Sequence, residues 1–192
     1  MEVGISFVTF MGRTLHGIRA GEAKLAWNHP AAASAPAIIR LTSSAFSEGA
    51  PIPLRYAGAG VGDNVSPPLA WSGLPPGTVE LALVMEDPDA PLPRPFVHLV
   101  VAGIAPMPET IAEEALSGGA HNLLIGRNML RQTIYAGPRA LPGHGLHRYV
   151  FELFALNRKL SFKKPPSLAE LMSAMNRAVI ARGKLEGTFE RT

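Results

Sequence analysis

From residue 37 onward the chain alternates short apolar runs with turns rich in proline and glycine, and this alternation limits its fold more than any other feature. Runs at 38–41, 79–85, 96–101 and 147–156 have the length and the Val, Ile and Leu content of strands. Between them stand Ser66-Pro67-Pro68, Pro75-Pro76-Gly77 and the stretch 87–95, which holds four prolines. A proline fixes φ and removes a backbone donor, so none of these stretches can continue a helix or a central strand. Nineteen glycines and eighteen prolines in 192 residues fit a fold of many turns, not a helical bundle. The expected class is mainly β, of α+β type.

Two helices are expected around the strands. In residues 3–27, Ile5, Val8, Leu15, Ile18 and Leu25 fall roughly on one face, with Arg13 and Glu22 elsewhere, and Asn28-His29-Pro30 ends the pattern. Small residues at 31–36 read as a linker. The chain thus divides into an N-terminal amphipathic helix and linker, 1–36, and a main domain, 37–192. The helix either packs on its own domain or forms a dimer contact. Near the other end, Ser167 follows Pro165-Pro166 and precedes Glu170 by three residues, which is a capping-box spacing. Leu168, Leu171, Met172 and Met175 then make an apolar stripe, and Gly183 is the expected stop.

Several functions are excluded or disfavoured by composition. With no cysteine there is no disulfide, thiolate metal site or cysteine nucleophile. A net charge of +3 without a dense Lys/Arg cluster argues against nucleic-acid binding. No stretch reaches the roughly 18 apolar residues of a membrane span. The apolar start at 3–11 follows Glu2 and not a basic region, so the cytoplasm is expected. Periplasmic export is the alternative, because the Ala-rich stretch 31–37 imitates a cleavage site.

Three segments carry chemistry. Asp87-Pro88-Asp89-Ala90-Pro91 holds two carboxylates in a stiff loop at a strand end, where they bind a ligand or simply close a turn on nearby N–H groups. His98 sits in an apolar run and needs a partner for its ring nitrogens. In Gly143-His144-Gly145-Leu146-His147-Arg148-Tyr149, strand alternation puts His147 and Tyr149 on one face, with Arg148 and Glu152 on the other. Two imidazoles, a phenol and carboxylates in one rigid pocket would suit a hydrogen-bonding anion, since a carboxylate beside a histidine favours its charged form. Other chemistries use the same residues. An Asp-oriented His98 or His147 could act as a general base in a hydrolase, although no Gly-x-Ser-x-Gly elbow or adjacent hydroxyl nucleophile is present. His98, His147, Asp87 and Asp89 could hold a divalent ion. A pure interaction or inhibitor module would leave the pocket incidental.

The first and third of these segments, with His98 and its apolar tail, resemble the two signature blocks of the phosphatidylethanolamine-binding (Raf kinase inhibitor-like) family. Asn64-Val65-Ser66-Pro67-Pro68-Leu69-Ala70-Trp71, Gly126-Arg127-Asn128 and the ending 185–191 are similar to its bacterial YbhB/YbcL branch. The resemblance covers residue 38 to the end. It implies a large antiparallel sheet with a smaller sheet and a C-terminal helix, to which this chain adds its N-terminal helix. It also implies a cofactor-free, non-enzymatic pocket for a phosphate, a carboxylate or a phospholipid head group. Asp87, His98, Pro138, His147 and Tyr149 match the ligand-binding positions, with Asp89 and Arg148 as scaffold behind them. A protein partner such as a kinase is a further implication, and a homodimer is expected through the added helix. Two departures mark this chain: the loop reads Gly137-Pro138-Arg139-Ala140-Leu141-Pro142, which adds Arg139 at the mouth, and Arg177-Ala178 replaces a Gly-His pair.

Overall fold

The computed structural model describes residues 7–118 and 123–191. Its centre is a five-stranded antiparallel sheet in the order β6-β4-β3-β7-β8, formed by β3 (Glu80–Asp87), β4 (Phe96–Ile104), β6 (Leu124–Ile125), β7 (His147–Leu156) and β8 (Val179–Phe189). A smaller antiparallel sheet has the order β1-β2-β5, from β1 (Arg40–Thr42), β2 (Leu69–Ser72) and β5 (Thr110–Ile111). The helices are α1 (Phe7–Thr14) and α2 (Leu168–Met175).

The large sheet is covered on both faces, which explains why its strands read as continuous apolar runs. One face carries Leu81, Leu83, Met85, Phe151 and Leu153, packed against Leu41, Leu69 and Trp71 of the small sheet. The opposite face carries Ala82, Val84, Val100, Phe154 and Leu156, packed against Leu171, Met172 and Met175 of α2. Ala26 and Ala32, from the N-terminal segment, belong to this second core.

The capping box forms as its spacing predicts: Glu170 N–H donates to Ser167 Oγ, and Ser167 N–H donates to the Glu170 carboxylate. The helix ends earlier than expected, however. Asn176 is its C-cap, and Gly183 lies inside β8. There a Cβ would sit 2.2 Å from the Ile39 carbonyl oxygen, so this glycine serves close backbone approach and does not stop a helix.

The N-terminal helix is also shorter than the periodicity predicts. Of the expected 3–27 span, residues 3–6 lie outside the described residues, and the α-helix covers only Phe7–Thr14. The chain then crosses the domain through two single 3₁₀ turns, Glu22–Lys24 and Ala26–Asn28. Gly17 and Gly21 have φ of +93° and +81°, which a right-handed helix excludes. Backbone donors that would have continued the helix go elsewhere: Ala20 N–H to Ala90 O at 3.0 Å and Gly21 N–H to Pro88 O at 2.8 Å. The helix itself rests on the 142–144 loop, where a Cβ on Gly12 would lie 1.9 Å from Pro142 O.

Candidate functional site

A cavity of about 440 Å³ opens at the end of the large sheet where β3 finishes and β4 and β7 begin. Its buried polar groups are Asp87, His98 and His147. Apolar walls come from Ala90, Pro91 and Leu92 of the proline-stiffened loop, from Phe96, and from Leu130, Tyr135 and Leu141. Gln132 and Arg139 are exposed and stand at the mouth.

His98 reaches this cavity through a β-bulge. Met85 pairs with Leu99, but the next residue of β3, Glu86, pairs with Val97, so His98 is the extra residue. Strict alternation would have put His98 with Val100 and Ala102, against α2. The bulge turns it toward Asp87 and His147 instead. His98 Nδ1 lies 2.6 Å from Ala136 O, and a carbonyl can only accept, so Nδ1 carries the proton. Nε2 makes no hydrogen bond among the described residues. Burial pushes the imidazole pKa below its usual value, while Asp87 and the Ala136 and Gly137 carbonyls pull the other way; burial wins. The resting ring is neutral, with a bare Nε2.

Asp87 makes both kinds of contact open to it from the sequence. Oδ1 accepts from Asp89 N–H at 2.8 Å, closing the turn, and Oδ2 stands 2.7 Å from His147 Nδ1. The other nitrogen of His147 is also engaged, since Nε2 lies 2.8 Å from Nδ1 of the fully buried His144. His147 therefore has no ring nitrogen left for a ligand.

The remaining expected residues divide between cavity and scaffold. Tyr149 is fully buried, with its ring 5.1 Å from His98 and 6.4 Å from His147. Among the described residues its hydroxyl lacks a hydrogen-bond partner of ordinary geometry, although the Arg139 and Ala140 N–H groups lie close, and burial raises its pKa well above the ordinary phenol range. Tyr149 and Pro138 do not line the cavity. Pro138 holds the wall from behind, accepting from Gly58 N–H at 2.8 Å. Asp89 and Arg148 pair with each other outside the cavity: Arg148 Nε lies 2.8 Å from Asp89 Oδ2, Arg19 adds a contact of 2.8 Å to Oδ1, and Glu22 pairs with Arg148. Burial works to raise the Asp89 pKa, but hydrogen bonds from Arg148 and Arg19 hold it down to about 2.

Two residues matter more than the sequence indicated. Asn64, with φ of +57°, donates to Tyr135 O at 3.1 Å and accepts from Gly137 N–H at 2.9 Å, which fixes the wall opposite Asp87. His144 had one available signal, its place three residues before His147 in a glycine-flanked loop. Among the described residues no group of three or more His, Asp or Glu side chains is arranged to hold a metal ion, and no helix is long and apolar enough to cross a membrane.

Comparison with known proteins gives one consistent answer. Residues 42–190 match the family model for phosphatidylethanolamine-binding protein. A Mycobacterium tuberculosis protein described as lipoprotein LppC is 37% identical over 161 residues, covering 84% of this chain and 76% of its own length. The UPF0098 protein PH1269 of Pyrococcus horikoshii is 36% identical over 152 residues, 78% of this chain and 75% of the relative. Among solved structures, the Chlamydia trachomatis homologue CT736 superimposes with a TM-score of 0.71 at 34% identity, over 80% of this chain and 98% of that one. Escherichia coli YbcL gives 0.75 at 26% identity, over 81% of this chain and all of its own.

Proposed function

The chain belongs to the phosphatidylethanolamine-binding protein family, in its bacterial YbhB/YbcL branch, and on that premise we propose that the cavity binds a small ligand bearing a phosphate or carboxylate, as a phospholipid head group does. As a family member it is a binding protein and not an enzyme. The observation that carries the proposal is His98: a buried imidazole lining the cavity, Nδ1 spent on a carbonyl and Nε2 unused. A bare Nε2 cannot donate to an oxyanion. It accepts a proton either from a protonated ligand or from solvent as the anion enters, and the resulting imidazolium then meets the negative charge. Gln132 and Arg139 at the mouth supply further donors, and the largely apolar walls suit the substituent that the acid group carries. Tyr149 and Pro138 support this site from behind in our reading, with Asp89 and Arg148 outside it. Among the described residues no serine or threonine hydroxyl lines the cavity, so a covalent hydrolase would lack a side-chain hydroxyl nucleophile among them.

Calorimetric titration with inorganic phosphate, and separately with acetate, in two buffers of different ionisation enthalpy tests this reading. Acetate, which enters without a proton at these pH values, should take up about one proton on binding and should bind more tightly at about pH 6 than at about pH 8, and His98→Gln should abolish the uptake. Acetate binding with no proton uptake in the unmodified protein sinks the His98 role. Absence of binding for both anions would leave a protein-interaction module as the better reading.

A second reading concerns self-association. The added helix α1 leaves Phe7 73% and Phe10 60% exposed, with Val8 and Met11 also exposed, as a face that a second copy could cover. For location, the relative described as a lipoprotein favours the cell envelope over the cytoplasm, and fractionation of cells expressing the full gene tests it.

A further inference from the structure

His144 closes a chain of hydrogen bonds that runs from the cavity into the N-terminal segment. Asp87 Oδ2 faces His147 Nδ1 at 2.7 Å, His147 Nε2 faces His144 Nδ1 at 2.8 Å, and His144 Nε2 faces the Ile18 carbonyl at 3.1 Å. His16 Nδ1 holds the backbone of the same residue, 2.8 Å from His144 O. His144 is fully buried, and no part of the ligand-binding reading uses it.

Proton counting along this chain is decisive, because its outer end can only accept. The Ile18 carbonyl requires a proton on His144 Nε2. Of the two rings only His147 has a carboxylate against it, while the buried His144 meets a carbonyl and the other ring, so His144 is the neutral ring and its Nδ1 is bare; burial, which pushes its pKa down, acts in the same direction. A bare Nδ1 requires the proton between the two rings to sit on His147 Nε2. The short contact from His147 Nδ1 to Asp87 needs a proton as well. Asp87 Oδ2 and His147 Nδ1 thus share one proton more than a carboxylate beside an imidazole of the same tautomer.

We infer that His144 is a positioning residue: anchored on the Ile18 carbonyl, it keeps His147 doubly protonated against the Asp87 carboxylate. The Asp87–His147 pair is then neutral overall, where a singly protonated His147 would leave the Asp87 charge uncompensated at the cavity wall. This deepens the binding reading and rests on it for the affinity measurement alone. His147 favours an anion by cancelling the repulsion of the Asp87 carboxylate, while direct contact falls to His98, Gln132 and Arg139. The segment 16–19, which the sequence places far from the pocket, sets the protonation of a group that lines it.

Long-range ¹⁵N–¹H NMR of the histidine rings in the full ligand-free chain reads the proton positions directly. The expected result is His144 as the Nε2–H tautomer and His147 protonated on both nitrogens. In His144→Phe, which removes the acceptor, His147 should revert to a single Nδ1–H tautomer, and affinity for inorganic phosphate should drop roughly tenfold or more. In His144→Gln, whose amide keeps one acceptor and one donor, His147 should stay doubly protonated and phosphate affinity should stay within about threefold. A proton on His144 Nδ1, or a His147 with one bare nitrogen, in the unmodified protein overturns the inference even if phosphate binds. If the NMR result is as expected and phosphate does not bind, the inference about His144 stands and the ligand reading falls.

Discussion

Glu86 and Glu152 lie diagonally across the β3–β7 ladder on the same face, and each accepts a backbone N–H from consecutive residues of the N-terminal segment, Ala26 at 2.6 Å and Trp27 at 3.0 Å. Both are buried, and Glu152 Oε1 has no partner among the described residues. Two carboxyls this close in a dry site cannot both ionise without cost, and burial raises both pKa values. Arg182 and Lys184 of β8 offset only part of this.

Glu152→Gln should therefore stabilise the protein at neutral and alkaline pH. An acid with a raised folded-state pKa favours the fold below its ordinary range and loses that contribution as pH rises through the raised value. The introduced amide imitates the protonated acid, still accepts from Trp27 and can donate to Glu86. The expected gain is about 1–3 kcal/mol at pH 8, shrinking toward zero near pH 4. Thermal melts at both pH values check it, and an equal change at both would contradict the argument.

Asp89 has the opposite sign. Its pKa is held at about 2 by Arg148 and Arg19. An acid with a lowered pKa contributes stability above its ordinary range, and that contribution is lost as pH falls through the folded value. Asp89→Asn should cost about 2–4 kcal/mol at pH 7, because it leaves two guanidinium groups without their carboxylate. Urea unfolding should show the gap between variant and unmodified protein narrowing as the pH falls below about 4. A gap that is the same at acid and neutral pH would mean that packing, and not charge, is what Asp89 supplies.

Gly183→Ala tests the role that the structure gives this glycine. The new methyl would meet Ile39 O at 2.2 Å, where residues 36–39 run beside β8 through Ile39 N–H to Arg182 O and Arg182 N–H to Pro36 O. Backbone cannot yield as a side-chain tip does, so a loss of about 1–3 kcal/mol is expected from the shift in urea midpoint. A neutral or stabilising result would return Gly183 to an ordinary strand position.

If a second copy covers α1, replacing Phe7 and Phe10 together by lysine should convert a dimer into a monomer in light scattering. Point changes suit this test better than removal of residues 1–30, because the same segment supplies the N–H groups to Glu86 and Glu152 and the guanidinium to Asp89. An unchanged mass would show that α1 is not the contact.

The elements that were legible in the sequence share one property: their signals are local. β7 occupies residues 147–156 as its apolar pattern predicts, and the Ser167/Glu170 capping box forms at its predicted place. The reading went wrong where distant chain competes for the same groups. Leu15, Ile18 and Leu25 keep helical spacing, yet Leu25 is buried and Ile18 is 53% exposed, because only short turns follow Thr14 and the Ala20 and Gly21 N–H groups bond to the 88–90 loop.

The site divides along the same line. Strand alternation alone put His147 and Tyr149 on one face and Arg148 on the other, since side-chain direction in a strand follows residue number. Prolines alone stiffened the loop that carries Asp87, since φ at proline is covalently fixed. Which face His98 takes depended on pairing with β3, where one extra residue forms a bulge, and alternation by itself would have sent it to the α2 side. The engagement of both His147 nitrogens depended on His144 and on a carbonyl at Ile18, 126 residues away in sequence from His144. Local sequence fixes backbone preference and side-chain alternation. Registers, bulges and the partners of buried polar groups are decided only when strands and segments far apart in the chain come to share their hydrogen bonds.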